Sequence, residues 1–176
     1  MARRRHGLQL PAFSERTKIC SSLKWHEGWS DLPTVIDLHS RKVVGWSYSN
    51  RMTSGLICDA MGAAVRLRHP KPGLIFHSDR GSQCASRAFR RRLWRYRMTQ
   101  SMSAKGNCYG NAVAESFFAT LKKELNGGDV YRTRADARSA LFEYIEVFDN
   151  RRRMHSLLDY MTPDKFESCT SKRRVA

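Results

Sequence analysis

The order of apolar segments along the chain constrains the fold more than any other feature of the sequence. Two short runs rich in β-branched residues, TVIDL (34–38) and VVGWSYS (43–49), flank the polar segment HSRK and predict a β-hairpin. Beyond them, segments with helical apolar spacing alternate with two shorter strand-like runs, LIFHSD (74–79) and TQSMSA (99–104). Strands that come first and then alternate with helices predict an α/β fold, in which helices flank a mixed sheet.

Helical spacing also predicts which side chains form the core. The predicted helices begin near positions 54, 86, 113 and 134, and the first has Thr53 or Ser54 as its cap. The apolar residues at helical spacing on the first helix are Leu56, Ile57, Ala60, Ala64 and Leu67. The residues expected to face inward on the last three helices are Phe89, Leu93 and either Tyr96 or Trp94; Ala114, Phe117, Phe118, Leu121 and Leu125; and Leu141, Tyr144, Ile145 and Phe148. A turn and a short helix are predicted for YMTPDKFE (160–167). A chain of this length can bury a substantial core with these faces.

Basic residues outnumber acidic residues two to one, which predicts a polyanionic partner. The chain has 32 Lys and Arg against 16 Asp and Glu, a formal net charge of +16. These basic residues occur along the whole chain rather than on one amphipathic helix, so nucleic acid is favoured over anionic lipid or a merely solubilising surface. Apolar runs stay well short of the roughly 18 residues of a membrane span, and the N-terminus lacks the apolar stretch of a signal peptide. The five cysteines form no CxxC pair, so we expect a cytoplasmic protein with reduced thiols, no membrane contact and no zinc site.

Two acidic residues form a candidate metal site. Asp79 lies at the end of a strand-like run, in HSDRGSQ, Glu115 lies on the polar side of the helix that begins near position 113, and 35 residues separate them. A strand-end Asp and a helix Glu can converge on divalent cations such as Mg²⁺, which prefer carboxylate oxygens and keep open positions for phosphate. The alternative is that Asp79 caps the turn and Glu115 is solvated. His77 beside them is either a strand-end structural residue or a base.

Four segments resemble the catalytic core of bacterial insertion-sequence transposases encoded in a second reading frame, which are members of the retroviral-integrase (DDE) superfamily. They are VIDLHSRKVVGWS, HSDRGSQ, SMSAKGNCYGNAVAESFFATLKKEL and YIEVFDNRRRMHSLLDYMTPDKFE, and the resemblance extends over residues 27–167. It implies a ribonuclease-H-like fold, metal-dependent cleavage of DNA strands and transfer of a 3′-hydroxyl onto a target phosphodiester. It also implies an Asp-Asp-Glu triad that binds two Mg²⁺ or Mn²⁺ ions, with Asp79 and Glu115 as its last two catalytic and metal-binding residues.

The same resemblance implies DNA as the partner. Both the ends of the element and the target are expected to bind, with copies of the chain assembling on DNA as a homo-oligomer at the bacterial nucleoid. Lys122, seven residues beyond Glu115 on the same helix face, and Lys105, in the preceding loop, are expected to contact phosphate. A solvated helix lysine is the alternative for Lys122. Arg151 and Arg152, with Arg153, follow a helix end and either bind phosphate or complement the helix dipole.

The sequence departs from the family's pattern at the first acid of the triad. Counting back from EGW (27–29) puts the family's first Asp at Ile19, and an Ile side chain cannot ligate a metal. Pro33 interrupts the strand expected after EGW, because its missing amide removes a ladder hydrogen bond. Gly110 stands where the family usually has Asp, and the family's N-terminal DNA-binding region has no counterpart in this sequence.

These departures predict a truncated, defective transposase whose ancestry is catalytic. A non-catalytic nucleic-acid-binding remnant of the same fold is the alternative, and Glu15 or Asp37 is the candidate to replace the missing ligand. The expected organisation is a basic arm at residues 1–24, an integrase-type catalytic core at 25–167 and a tail at 168–176.

Overall fold

The structure, a computed structural model, describes residues 16–18, 22–25, 28–78, 81–102, 112–125, 131 and 133–173. Its strands are β1 (Arg16–Lys18), β2 (Ser22–Trp25), β3 (Gly28–Asp31), β4 (Thr34–Asp37), β5 (Val43–Trp46), β6 (Ile75–Ser78) and β7 (Thr99–Met102). Strand β1 and most of β2 lie in residues 1–24, the segment predicted to be a basic arm. The domain boundaries given above stay predictions.

The helices follow the predicted positions. They are α1 (Ser54–Arg68), α2 (Arg87–Arg95), α3 (Ala112–Leu125), α4 (Arg134–Phe142) and α5 (Pro163–Arg173). A π-helical segment, Glu143–Asp149, continues α4, and a 3-10 turn, Ser156–Leu158, precedes α5. Thr53, one of the two predicted caps, accepts a hydrogen bond from the Leu56 amide at 3.1 Å and begins α1. Among the described helices, none has both the length and the apolarity that crossing a bilayer requires.

A five-stranded mixed sheet runs through the centre of the fold. Its strand order is β5-β4-β1-β6-β7, in which β1, β6 and β7 run parallel and β4 is antiparallel to both of its neighbours. The predicted hairpin is confirmed as β4 and β5, and the strands predicted in LIFHSD and TQSMSA are confirmed as β6 and β7. A separate antiparallel pair is formed by β2 and β3. Pro33 lies in the break between β3 and β4, as its missing amide predicts.

Alternating side chains bury both faces of the sheet. Val35 and Phe76 pack with α1 and α2 in one hydrophobic cluster, on what we name the α1–α2 face. Leu32 and Ile36 pack with α3, α4 and the π-helical segment in a second cluster, on the α3 face. The predicted architecture, a mixed sheet with flanking helices, is therefore confirmed.

Three of the residues considered as inward-facing are exposed. Leu67 near the end of α1 is 47% exposed. Trp94 is 80% exposed, whereas Tyr96, the alternative to it, is half-buried. Phe148 is 40% exposed because it lies in the π-helical segment, where each turn takes in one more residue than an α-helical turn. The extra residue shifts the buried face, so that Asp149 and Asn150 are buried instead. The other predicted inward-facing residues are buried or half-buried.

A buried ion network ties α5 to the sheet. The Arg68 side chain, 3% exposed at the end of α1, donates hydrogen bonds to both carboxylate oxygens of Glu167 in α5. The same guanidinium lies 3.8 Å from Asp37 at the end of β4. Lys42 Nζ lies 3.6 Å from Glu167 Oε2. Since buried charges are tolerated only when they are paired, each member of this network depends on the others.

Removal of the Glu167 carboxylate is expected to lower the free energy of unfolding by about 3 kcal/mol, because Glu167→Ala leaves the Arg68 charge buried without its bidentate partner. The matched control is Glu143→Ala, which removes an exposed carboxylate and is expected to change the same quantity by less than about 0.5 kcal/mol. Urea denaturation followed by circular dichroism measures both variants. Equal losses in the two would mean that the network does not stabilise the fold.

Candidate functional site

The ends of β1 and β6 define one edge of the sheet. These two strands are neighbours and run parallel, with Arg16 paired to Ile75 and Thr17 paired to Phe76. Both strands therefore end at the same edge, and ligands of open α/β sheets bind outside such strand ends. The next residues in the chain are Ile19 after β1 and Asp79 after β6. Ile19 and Asp79 lie outside the described residues.

His77 lies on the α3 face of the sheet near this edge. Phe76 packs with α1 and α2, and successive strand side chains point to opposite faces, so His77 faces α3. There the His77 Nδ1 lies 3.1 Å from the Ser101 hydroxyl oxygen of the neighbouring strand β7. This cross-strand contact supports the structural role for His77 over the role of a base.

Helix α3 carries Glu115 and Lys122 on one exposed stripe. Ala114, Phe118 and Leu121 anchor the adjacent side of the helix in the core of the α3 face. Glu115 is exposed in the first turn, and Lys122 is exposed in the last. Seven residues correspond to two helical turns, which places their Cα atoms about 10 Å apart along the helix axis. Lys105, the other predicted phosphate ligand of this region, lies outside the described residues.

The three consecutive arginines after the π-helical segment have different environments. Arg151 and Arg152 are exposed, although Arg151 Nε lies 3.6 Å from an Asp164 carboxylate oxygen. The third, Arg153, forms ion pairs with Glu124 of α3 and Asp149, the latter at 3.0 Å. Its guanidinium also lies 4.9 Å from the centroid of the Phe148 ring. Arg153 is thus a structural residue, while Arg151 and Arg152 remain predicted phosphate ligands.

Asn150 and Asp149 form a polar centre that the sequence pattern did not reveal. The Asn150 side-chain amide accepts a hydrogen bond from the Val43 amide at 2.9 Å and donates one to the Val43 carbonyl at 3.0 Å. These two bonds satisfy the backbone of Val43 at the start of strand β5 in the way that a neighbouring strand satisfies the backbone of a paired residue. Burial raises the pKa of Asp149 to about 6, against the opposing effect of Arg153. The same Arg153 charge also acts on His155, whose pKa is lowered by burial and by that charge. A polar residue within an apolar helix face carries no local sign of such a long-range partner.

Asp37, one of the two acids considered as a substitute metal ligand, is engaged elsewhere. Its carboxylate accepts a hydrogen bond from the His39 amide at 2.9 Å and lies 3.8 Å from Arg68. Its side chain is on the α1–α2 face, since Ile36 next to it packs against α3. Glu15, the other candidate, lies outside the described residues. Within the ranges that the structure describes, no three His, Cys, Asp or Glu side chains are grouped closely enough to hold a metal ion.

The sequence of this chain matches models of a known protein family. Two family models, both described as integrase core domain, match residues 17–108 and 115–170. The chain belongs to the integrase core family. Asp79 and Glu115 both lie inside the matched ranges, as do the sheet strands β4 to β7.

The curated relatives of this integrase core are insertion-sequence transposases, as the sequence motifs predicted. It is 47% identical over 145 residues to the transposase for insertion sequence element IS904 of Lactococcus lactis subsp. lactis (strain IL1403), which covers 82% of this chain and 57% of the relative. It is 45% identical over 146 residues to transposase InsF for insertion sequence IS3A of Escherichia coli (strain K12), covering 83% and 51%. The chain spans about half the length of these relatives.

Solved structures confirm the ribonuclease-H-like fold. A chain of the simian T-cell lymphotropic virus intasome in complex with PP2A regulatory subunit B56 gamma aligns with a TM-score of 0.70 at 16% identity, over 93% of this chain and 56% of that one. The HTLV-2 integrase catalytic core domain in complex with magnesium (trimeric form) aligns with a TM-score of 0.67 at 16% identity, over 89% of this chain and 98% of that one. At this level of identity the likeness concerns the fold alone.

Proposed function

We propose that this integrase core binds DNA as an insertion-sequence transposase does, and that strand cleavage and transfer are lost because Ile19 replaces the first metal-binding Asp. The observation that carries the proposal is the parallel pairing of β1 with β6. This pairing brings the ends of the two strands, Lys18 and Ser78, to one edge of the sheet, where we expect the family's first two acids to belong. In the sequence, Asp79 follows one of these strand ends and Ile19 follows the other.

The acidic residues of this chain do not fit a two-ion site. Such a site needs carboxylate oxygens from several residues to hold a pair of Mg²⁺ or Mn²⁺ ions around the reacting phosphate. Asp79 and Glu115 supply two carboxylates, whereas the hydrocarbon side chain of Ile19 supplies no oxygen. Asp37 is held in the Arg68 network on the other face of the sheet and cannot take the vacant role.

The remaining residues support a role in holding DNA. Lys122 lies exposed on the stripe of α3 that carries Glu115, and Arg151 and Arg152 are exposed beyond the π-helical segment. With Lys105 they would neutralise phosphates along a duplex whose scissile bond lies near Asp79 and Glu115. Assembly of several copies on the element ends and target, at the nucleoid, belongs to the same proposal. The net charge of +16 favours such an encounter by long-range attraction.

DNA binding is expected to weaken steeply as salt is raised, because each neutralised phosphate adds roughly 0.9 to the slope of log K against log salt on duplex DNA. Fluorescence anisotropy between about 50 and 200 mM salt measures this slope. Lys122→Gln is expected to lower the slope by about one unit. The control is Lys71→Gln, since Lys71 is also exposed but precedes β6, at the start of that strand rather than at its end. A flat salt response, or no binding at the lowest salt, would contradict the proposal.

A further inference from the structure

Helix α2 presents an unusual exposed face. Phe89 and Leu93 are buried and fix the helix against the α1–α2 face of the sheet. On the opposite side Trp94 is 80% exposed, more than any other large apolar side chain of the described residues. Arg87, Arg90 and Arg91 precede Trp94 by seven, four and three residues, the spacings that place side chains side by side on a helix. An exposed indole thus shares one face of the helix with three arginines.

The charge of this face is not balanced locally. Among the described α-helices, α2 is the only one whose residues include neither Asp nor Glu. The acid-free stretch is longer than the helix, because no Asp or Glu occurs in residues 80–114. Within the part of the chain that the structure describes, the exposed arginines of α2 form no ion pair. The remaining arginine of α2, Arg92, is half-buried rather than exposed, and its guanidinium lies 3.4 Å from the Tyr96 hydroxyl.

This surface is separate from the stripe of Glu115 and Lys122. Phe89 and Leu93 place α2 in the hydrophobic cluster on the α1–α2 face. Phe118 and Leu121 place α3 in the cluster on the other face. The sheet therefore lies between the two helices, and a ligand on α2 occupies a different side of the molecule from a duplex at the strand edge.

We propose that the exposed face of α2, formed by Arg87, Arg90, Arg91, Trp94 and Arg95, binds an unpaired DNA strand. The inference rests on the proposed function, from which it takes DNA as the class of ligand. It adds a second DNA-binding surface to the molecule. The arginines hold successive phosphates, and the indole of Trp94 stacks on one base. Arg87, Arg91 and Arg95 form a row with a spacing of about 6 Å along the helix axis.

Two physical features favour an unpaired strand over a duplex or an acidic protein. Arginine offers a planar fork that matches phosphate oxygens in a bidentate way, and it keeps its charge at every relevant pH. An exposed Trp ring can stack on a base only when the base is free of its partner, whereas a duplex hides base faces inside the stack. An acidic peptide would pair with the arginines but would leave the indole without a planar partner.

The test measures binding of a labelled oligothymidine of about 16 nucleotides and of a duplex of the same length by fluorescence anisotropy. Trp94→Ala is expected to weaken binding of the single strand about tenfold, and Trp94→Phe, which keeps an aromatic ring, is expected to restore most of it. Arg87→Gln with Arg91→Gln should lower the salt slope on the single strand by about 1.4. The matched control is Arg134→Gln with Arg138→Gln, which removes two exposed arginines four residues apart from helix α4.

The outcomes separate this inference from the proposed function. If the unmodified chain binds DNA with the expected salt slope but both α2 variants behave like the α4 control, the α2 surface is refuted and the proposed function stands. If the unmodified chain binds neither form of DNA, both proposals fall. Arginine variants that weaken duplex and single strand equally, with no effect of Trp94→Ala, would refute an unpaired strand as the ligand. Binding of polyglutamate that depends on the same α2 residues and exceeds binding of the oligothymidine would assign the surface to an acidic protein instead.

Discussion

Strand transfer is expected to be absent from this chain, and Asp79→Ala or Glu115→Ala is expected to lower the measured activity no further. The reason is geometric, because two-ion catalysis needs a carboxylate from the first strand to hold the ions between the other two acids. Ile19 follows β1 and supplies none. The measurement is an Mg²⁺- or Mn²⁺-dependent assay on pre-cleaved DNA. Activity in the unmodified chain that both alanine variants abolish would contradict this expectation and would direct attention to Glu15.

Ile19→Asp alone is expected to restore little of the activity. We expect the segment that follows Ile19, CSSL, and Pro33 to alter how the first strand continues beyond Lys18. A displacement of about 1 Å at a reacting group can lower a rate on the order of 100-fold. Salt-dependent DNA binding by the same preparation is the control, because it shows that the fold and the basic surface are intact. Full activity of Ile19→Asp would mean that the continuation of this strand is not altered.

Gly45→Ala is expected to lower the free energy of unfolding by about 3 kcal/mol or more. Gly45 lies in β5 where helix α1 crosses the sheet, and an added Cβ would lie 2.4 Å from the Ala60 carbonyl oxygen and 2.6 Å from the Ala64 amide nitrogen. Both contacts are with backbone atoms, which cannot rotate away as a side chain does. The whole of α1 would have to move off the sheet, and the cluster around Ile57 and Met61 would loosen. Urea denaturation measures the loss.

Gly62→Ala is the matched control, because it adds the same methyl group to α1, the helix that packs on Gly45. Gly62 lies inside α1, where an added Cβ meets only the end of the flexible Arg66 side chain, at 3.3 Å. Alanine is favoured over glycine in a helix interior by roughly 0.5–1 kcal/mol, so this variant is expected to be neutral or slightly more stable. Comparable losses in both variants would show that the close approach of α1 to β5 does not set the cost.

The elements of the fold were predictable from the sequence because their apolar patterns are local. The β-branched runs at 34–38 and 43–49 formed the predicted hairpin, and helical spacing placed α1, α2 and α3. The same patterns predicted the burial of Phe89, Leu93 and Leu141. A period of two or 3.6 residues needs only a few neighbours along the chain to be recognised. The family and the departure at Ile19 were also visible, since both depend on residue identity and spacing.

Only the tertiary structure decided which polar and aromatic side chains have partners. Arg153 binds Glu124 across 29 residues and Arg68 binds Glu167 across 99, so neither pair has a local pattern. The change from α- to π-helical hydrogen bonding exposed Phe148 and buried Asn150, which then paired with Val43, 107 residues away. Periodicity likewise left Trp94 and Tyr96 as equal candidates for the core, and packing of α2 on the sheet left Tyr96 half-buried and Trp94 in solvent. Apolar burial follows local periodicity, but a charge or an amide is satisfied by whichever group the fold brings within hydrogen-bonding distance.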